Sequence, residues 1–526
     1  MSSSPDTQIS VLRVEPTPEA ASPAPQPEKH SYRQILKSSA LVGGASAANI
    51  AIGIVRTKAM AILLGPAGFG LFGVYGSIAT LTQSIASMGV NSSGVRQIAQ
   101  ATASDDGERI ALTATVLRRT SVLLGLLGAL FLVVFSRQIS TLTFGTSAHW
   151  AAISLLSLVV FFQVVSAGQS ALIQGLRRIY DLAKMNVLGG LYGTLFSILL
   201  VYFLRDKGVV PSLVVVALMT LALSWWYSRT VKIQTVSMTA HRVWAEANDL
   251  LKLGFAFMAG ALMTTGIAYA VRIILLRMVG FEATGFYQSA WTLGGLYVGF
   301  ILQAMGADFY PRLSASAGDN TACNRLVNEQ ACIGLLLAGP GLLATLTFTP
   351  MVITIFYSAK FGAAVGVLRW ICLGTTLQVI TWPMSFIIVA KAWRVTYFVT
   401  ELAWALASLG LAWVCVGAFG LNGAGIAFFA SYLFYGFMLY PVVNRISGFR
   451  WSTSNKLTGL FFLSLIAVVF CGFYLLPFFW ASLLGTLGVL VSGAYSIHVL
   501  STLVSSDQLP APIRRFLGRI GFINKK

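Results

Sequence analysis

The chain has 526 residues, of which 56% are hydrophobic and 10% are charged, and its formal net charge is +19. Soluble domains carry about 25% charged residues, so this composition excludes an ordinary soluble protein. Two stretches carry no charge at all: 39 residues between Arg137 and Arg177, and 50 residues between Lys456 and Asp507. A helix of about 20 apolar residues crosses a bilayer, and helices satisfy their own backbone hydrogen bonds in lipid. The sequence therefore predicts an all-α polytopic membrane protein.

The predicted elements begin with a tail over residues 1–34 that is rich in Ser, Pro, Ala and Glu. It lacks the apolar segment of a signal peptide, so it is predicted to be disordered and cytoplasmic. About fourteen candidate membrane spans follow. They divide the chain into an N-lobe of six spans, a cytoplasmic linker, a C-lobe of six spans, a C-terminal pair of spans and a basic cytoplasmic tail. These predicted parts are residues 35–233, 234–252, 253–444, 445–504 and 505–526, respectively.

Lysine and arginine are distributed unequally between the two sides of this arrangement. With the N-terminus on the inner side, 27 of the 36 lie on that side and four lie on the other. Cytoplasmic loops of multi-pass proteins carry such an excess, so both termini are predicted to be cytoplasmic. The same distribution accounts for the positive net charge without a nucleic-acid partner.

An internal repeat appears when the sequence is shifted by 215 residues, which places residues 35–76 over 250–291. Both copies contain a helix that is rich in small residues and has cations near its C-terminal end. A short glycine turn and a long second helix follow. The copies start on the same side and are separated by six spans. This predicts two lobes related by an axis along the membrane normal, with a binding site between them. The matched pairs are Lys37 with Lys252, Gly65 with Gly280, Gly70 with Gly285, and Phe72 with Tyr287.

Five cations lie inside predicted spans, namely Arg56, Lys58, Arg272, Arg277 and Arg369. A charge at the bilayer centre costs about 2.5–3.5 kcal/mol on insertion scales, so such residues need partners or a water-filled cavity. Lys58 and Arg277 lie near enough to a helix end that their side chains could instead reach the membrane surface. Arg56, Arg272 and Arg369 lie deeper. Together with Lys58, these three predict a cationic cavity that binds an anion.

Glu401 and Asp308 are the only acids well inside a predicted span. Two carboxylates cannot neutralise five cations, so the cavity is expected to stay positive. Glu401 is either a site of coupling to H⁺ or Na⁺ or the structural partner of an arginine, since intramembrane acids serve both roles. Asp308 and Arg312 form either an inner gate or an ordinary salt bridge. The widely separated cysteines and histidines predict no metal site, and no cofactor is expected.

Four segments together resemble the corresponding parts of Wzx-type flippases in the multidrug/oligosaccharidyl-lipid/polysaccharide exporter (MOP) superfamily. They are RTKAMAILLGPAGFGLFG from Arg56, VRIILLRMVGFEATGFYQSAW from Val271, MGADFYPRLSA from Met305, and the segment from Phe356 to Trp404, which begins FYSAKFGAAVGVLRW and ends TELAW. The resemblance places Lys58 at the family's lysine before the GPxG turn. It also matches Glu401 to the family's acid after the tenth span. The family usually has twelve helices, so the last two predicted spans are a departure from its pattern.

The resemblance implies a transporter rather than an enzyme. Such proteins move undecaprenyl-diphosphate-linked oligosaccharides, such as O-antigen units, from the inner to the outer leaflet of the bacterial inner membrane by alternating access. The expected partners are that glycolipid, membrane lipids and other polysaccharide-assembly proteins. Arginine and lysine would replace the hydration of the diphosphate with charge-assisted hydrogen bonds. Two alternatives stay open: a drug/cation antiporter, which should line its cavity with acids, and a membrane polysaccharide polymerase or ligase, which needs a larger outer loop.

Overall fold

The computed structural model describes residues 29–104, 106–231 and 240–503, and every regular element in these residues is a helix. The N-terminal part contains α1 (Lys29–Ala86), α2 (Val90–Ala103), α3 (Gly107–Val134), α4 (Ser136–Phe144), α5 (Trp150–Gly175), α6 (Ile179–Leu204) and α7 (Val209–Arg229). The C-terminal part contains α8 (Ala240–Met278), α9 (Phe281–Ala315), α10 (Asn320–Thr347), α11 (Thr349–Phe356), α12 (Ala364–Ala390), α13 (Arg394–Phe419), α14 (Leu421–Ser447), α15 (Thr453–Leu475) and α16 (Phe478–Leu503).

Twelve helical segments of the described chain are long and apolar enough to cross a membrane. Two of them, Gly44–Ala86 with 43 residues and Ile179–Arg229 with 51, are each roughly twice the length that one crossing needs. The first bends at Gly65, and the second contains α6, a 3₁₀ turn at 205–208 and α7. The two long segments thus supply two crossings each. The described residues therefore hold the predicted fourteen crossings of a multi-pass all-α membrane protein.

The two turns that the internal repeat aligns both combine a positive φ with a ψ near 180°. Gly65 has φ 66° and ψ −175°, and Gly280 has φ 113° and ψ −176°. Glycine reaches this region without the steric penalty of a Cβ atom, so both positions need glycine. The repeat found in the sequence is thus also a repeat of backbone geometry.

Several element boundaries differ from those predicted. Residues 29–34, predicted to be disordered, begin α1, whereas residues 1–28 and the predicted basic tail at 505–526 lie outside the described residues. Most of the predicted linker at 234–252 is helical, because α8 begins at Ala240. The second predicted span at 68–98 divides into the end of α1 and the start of α2. Positive φ values at Met88 (45°) and Gly89 (66°) interrupt the helix there.

The lobes meet where the second part of α1 (66–86) crosses α9, a contact that we call the helix crossing. A Cβ atom on Gly70 would overlap the backbone carbonyl of Phe281, and one on Gly285 would overlap that of Pro66. These glycines let the two backbones approach closely, as small residues do in membrane helix packing. Gly70 and Gly285 are partners in the sequence repeat. The pseudo-symmetry axis therefore passes close to the helix crossing.

Candidate functional site

Arg272 of α8 lies beside the helix crossing and is held by the C-lobe. Its side chain is buried, with 6% of the residue exposed. Nε donates to Oε1 of Gln288 at 2.8 Å, and Nη1 donates to the carbonyl oxygen of Ala268 at 2.6 Å. Its Cζ lies 5.8 Å from the centre of the Tyr287 ring, within the range of a cation–π contact. The guanidinium is thus fixed in place by its own lobe.

Arg56 of α1 makes the corresponding aromatic contact in the N-lobe. Its Cζ lies 5.5 Å from the centre of the Phe72 ring, and Phe72 is the repeat partner of Tyr287. Its Nε is buried and has no hydrogen-bond partner among the described residues. Burying a charged donor without a partner costs several kcal/mol in apolar surroundings, so this group is suited to an anionic ligand. Lys58, half-buried two residues further along α1, makes no hydrogen bond or ion pair with described residues either.

The partners of the two arginines lie close to one another at the helix crossing. Gly73, which follows Phe72, faces Gln288 so closely that a Cβ on Gly73 would lie 2.9 Å from Oε1 of Gln288. The same Gln288 oxygen accepts the hydrogen bond from Arg272. Arg56 and Arg272 therefore flank the helix crossing through neighbouring residues. Each of these two predicted site residues thus contacts a side chain at or next to the helix crossing.

Arg369 is not part of this group. It lies on α12, and its Cζ is 3.8 Å from the centre of the Phe473 ring on α15. The adjacent Trp370 packs on Phe470 of the same helix, with ring centres 4.7 Å apart. Arg369 thus faces the C-terminal helix pair rather than the lobe interface. The sequence placed it with Arg56 because depth along a span does not reveal which side of a helix faces which neighbour.

The predicted acidic residues also make local contacts. Glu401 accepts a hydrogen bond from the Tyr435 hydroxyl at 2.7 Å, so its partner is a tyrosine rather than an arginine. Asp308 and Arg312 form a salt bridge of 3.1 Å one turn apart on α9, and both side chains are more than half exposed. That pair lies along one helix, as an ordinary salt bridge does, and does not join the lobes.

Arg277 connects the lobes at the end of the bundle that carries Gly65 and Gly280. Its Nη2 donates to the carbonyl oxygens of Thr141 and Leu142 at 2.5 and 2.7 Å, and its Nε donates to that of Thr143 at 3.2 Å. These carbonyls end α4, where the helix dipole favours a cation. Arg277 therefore has partners in the other lobe, where the sequence left open a simple extension to the membrane surface.

Further contacts close the same end of the lobe interface. Tyr269 of α8 and Thr143 share a hydrogen bond of 2.5 Å. Phe69 of α1 packs against Tyr357 and Phe361, with ring centres 5.5 and 5.7 Å away. Below them, a crevice of about 170 Å³ separates α1 from α9, and Thr57 lines it next to Arg56. The lobes are thus sealed on one side of the arginines, and the crevice lies beside them.

The sequence did not identify the partners of these cations. Phe72 and Tyr287 were visible as a repeat pair, but not as rings under guanidinium groups. Gln288 and Tyr435 carried no motif. The available signal was spacing: each arginine precedes its ring by about fifteen residues on a helix pair connected by a glycine turn. That spacing becomes informative only once the turn is known to fold the two helices together.

Known proteins resemble this chain in sequence and in fold. The sequence profile of a family described as polysaccharide biosynthesis protein matches residues 59–366, more than half of the chain. The chain belongs to this family. The match includes both helices of the crossing. The lipid III flippases of Escherichia coli strain K12 and Shigella flexneri are each 22% identical to the chain over 417 residues, which cover 76% of this chain and 96% of each relative.

Solved structures share the fold of this chain. The lipid II flippase MurJ in an inward closed conformation aligns with a TM-score of 0.65 at 14% identity, covering 88% of this chain and 99% of MurJ. An inward-facing multidrug resistance MATE transporter of the MOP superfamily aligns with a TM-score of 0.58 at 16% identity, covering 77% and 96%. These likenesses show that the chain has the same fold as these transporters.

Proposed function

We propose that this protein is a flippase that moves undecaprenyl-diphosphate-linked oligosaccharides from the cytoplasmic to the periplasmic leaflet of a bacterial inner membrane. The observation that carries the proposal is the buried Nε of Arg56, which lies next to the helix crossing and has no hydrogen-bond partner among the described residues. An anionic headgroup would supply the missing acceptor. The names of the lipid III and lipid II flippases, which share sequence or fold with the chain, support a lipid-linked cargo.

The charge balance favours this cargo over a cationic drug. Arg56 and Lys58 have no acidic partner among the described residues, and Glu401 is bonded to Tyr435. A site for cations should present carboxylates instead. We assign binding of the diphosphate to Arg56 and Lys58. Arg272 contributes positive electrostatic potential rather than hydrogen bonds, because its donors are already engaged by Gln288 and Ala268. Arg369 has no place in this site.

Alternating access follows from the arrangement of the two lobes. The contacts of Arg277 and Tyr269 hold one end closed, and the crevice between α1 and α9 lies next to Thr57. The positive-inside pattern makes the closed end periplasmic and both termini cytoplasmic. In this state the headgroup would enter from the cytoplasmic leaflet. Separation of the lobes at the closed end would then release it on the periplasmic side.

Deletion of the gene in its own host tests the proposed function. The lipid-linked repeat unit should accumulate on the inner face of the membrane, out of reach of a sugar-modifying reagent added to spheroplasts. Complementation with the wild-type chain should restore labelling from outside. Outer-face labelling that persists without the protein contradicts the flippase assignment. Unchanged glycolipid with lost drug resistance would favour the antiporter, and flipped but unpolymerised units would favour a polymerase or ligase.

Glu401 is our candidate for coupling to an H⁺ or Na⁺ gradient. Its hydrogen bond to Tyr435 links α13 to α14, so a change in its charge would act on the packing of two C-lobe helices. Glu401→Gln keeps an acceptor for Tyr435 but cannot ionise. In proteoliposomes, flipping by this variant should lose its response to an imposed gradient and keep the rate seen without one. A gradient response equal to wild type removes Glu401 from coupling.

A further inference from the structure

A cavity of about 220 Å³ lies inside the C-lobe, between five of its helices, α8, α9, α12, α13 and α14. We propose that it binds a sugar ring of the lipid-linked oligosaccharide while Arg56 and Lys58 hold the diphosphate. This inference rests on the proposed function and names the part of the cargo that the lobe-interface cations do not recognise. The cavity is smaller than the roughly 300–1,000 Å³ of drug-sized sites, so it suits one ring rather than a whole repeat unit.

The first argument is the aromatic lining of the cavity. Its rings form a continuous series from Tyr287 through Trp291, Phe428 and Tyr432 to Trp404. Successive ring centres are 5.9, 5.3, 5.0 and 5.7 Å apart. A pyranose has an apolar face of C–H groups that packs on such rings and a polar edge of hydroxyls. The N-lobe repeat partner of Trp291 is Gly76, which carries no ring.

The second argument is that the cavity carries neutral polar groups without partners. Ser408 is 7% exposed, and its hydroxyl has no hydrogen-bond partner among the described residues. The same is true of the indole N–H of Trp404. Leaving a buried polar group unpaired is unfavourable, and an alkyl chain in the cavity would leave both groups unpaired. Sugar hydroxyls can donate to one and accept from the other.

The third argument is charge and position. None of the lining residues is charged, so neither a metal cation nor a phosphate has a counter-charge there. The cavity nevertheless borders the site at the lobe interface, because two of its lining residues contact Arg272. Ala268 accepts a hydrogen bond from that arginine, and Tyr287 lies under its guanidinium. A ring attached to a diphosphate at the interface is therefore within reach of the cavity.

Gly295 offers a way to fill the cavity without disturbing its walls. It lines the cavity, and a Cβ atom built on it meets nothing within 4 Å. Gly295→Phe should therefore occupy the space intended for the sugar. Gly410 is the matched control, because it lies on the wall helix α13, is exposed, does not line the cavity and also has nothing within 4 Å of its Cβ position.

Binding to the full-length protein in nanodiscs tests the assignment with two probes, undecaprenyl diphosphate and undecaprenyl diphosphate carrying one hexosamine. The wild type should bind the sugar-bearing probe at least 10-fold more tightly. Gly295→Phe should abolish this preference without changing the affinity for undecaprenyl diphosphate, and Gly410→Phe should change neither. Ser408→Ala, which keeps the packing, should reduce the preference about 5-fold, as expected for one neutral hydrogen bond.

The outcomes separate this inference from the proposed function. A wild type that binds neither probe overturns both. A wild type that binds both probes equally, or a preference that survives in Gly295→Phe and Ser408→Ala, overturns the sugar site alone. Equal weakening of both probes in Gly295→Phe also overturns it, because the cavity would then hold part of the polyprenyl chain.

Discussion

Each half of the helix crossing contains an arginine next to an aromatic ring, but the two arginines differ in their hydrogen bonds. Each lobe places an arginine over the ring of a repeat-related aromatic residue, Arg56 over Phe72 and Arg272 over Tyr287. In the C-lobe, Gln288 holds the arginine, whereas the Nε of Arg56 has no partner among the described residues. One arginine is part of the scaffold, and the other is available to a ligand.

The difference arises at a single repeat position. The repeat partner of Gln288 is Gly73, and these two residues face each other near the pseudo-symmetry axis. A side chain at position 73 would collide with Gln288, so only one lobe can provide a glutamine there. Near a pseudo-twofold axis, identical residues would compete for the same space. The asymmetry that frees Arg56 is therefore a steric consequence of the close helix crossing.

The largest effect is expected from a substitution at the helix crossing itself, on which the comparison of the two arginines depends. Gly70→Leu should prevent the helix crossing, because its Cβ would overlap the carbonyl of Phe281. Overpacking of this kind typically costs about 1–3 kcal/mol, and here the obstacle is backbone that cannot rotate away. We expect loss of complementation and a lower melting temperature. Gly76→Leu on the same helix has nothing within 4 Å of its Cβ and should behave as wild type; a normal Gly70→Leu protein would refute the crossing.

The second-largest effect is an expected difference between variants of Arg56 and Arg272. Arg56→Gln should weaken binding of undecaprenyl diphosphate roughly 10-fold to 100-fold, since a hydrogen bond to a charged group contributes about 1.5–3 kcal/mol. Its melting temperature should not fall, because Nε has no partner to lose. Arg272→Gln should instead destabilise the protein by about 1–3 kcal/mol, because Gln288 and Ala268 would lose a buried donor. Equal stability loss in both variants would remove the distinction between them.

A smaller effect is expected from the contact that closes the lobes. Arg277→Gln loses most of the hydrogen bonds to the end of α4. The closed state should become less populated by roughly 5-fold to 100-fold, the range of typical couplings of 1–3 kcal/mol. Spin-label distances between Leu142 and Phe281 should then show an additional longer population. An unchanged distance distribution would mean that Tyr269 and the aromatic contacts suffice to hold this end closed.

The smallest effect on the cargo is expected from Arg369. Arg369→Gln removes a guanidinium that packs on Phe473, away from the helix crossing. Affinity for undecaprenyl diphosphate should stay within about 2-fold of wild type, while detachment of α15 from α12 should lower the melting temperature slightly. A loss of affinity as large as that of Arg56→Gln would return Arg369 to the binding site and contradict the assignment made from the structure.

The sequence predicted the fold more completely than the site. Hydropathy indicated fourteen crossings, and the shift of 215 residues indicated both glycine turns. Arg56 and Arg272 were selected because depth along a helix is a local property, and each contacts a residue at or next to the helix crossing. Arg369 was grouped with them for the same reason and lies elsewhere. Depth gives one coordinate of a side chain, and the direction in which it points depends on the neighbouring helices.

By itself, the amino-acid sequence determined that the chain folds as helices crossing a membrane, where the helices turn, and that two copies of one plan face each other. Those properties follow from composition and from contacts within one or two turns, since a bilayer forces each span to satisfy its own backbone. Only the tertiary structure decided that Gln288 engages Arg272 and that the Nε of Arg56 has no hydrogen-bond partner among the described residues. Partners separated by long stretches of chain are selected by packing, and packing depends on all the helices at once.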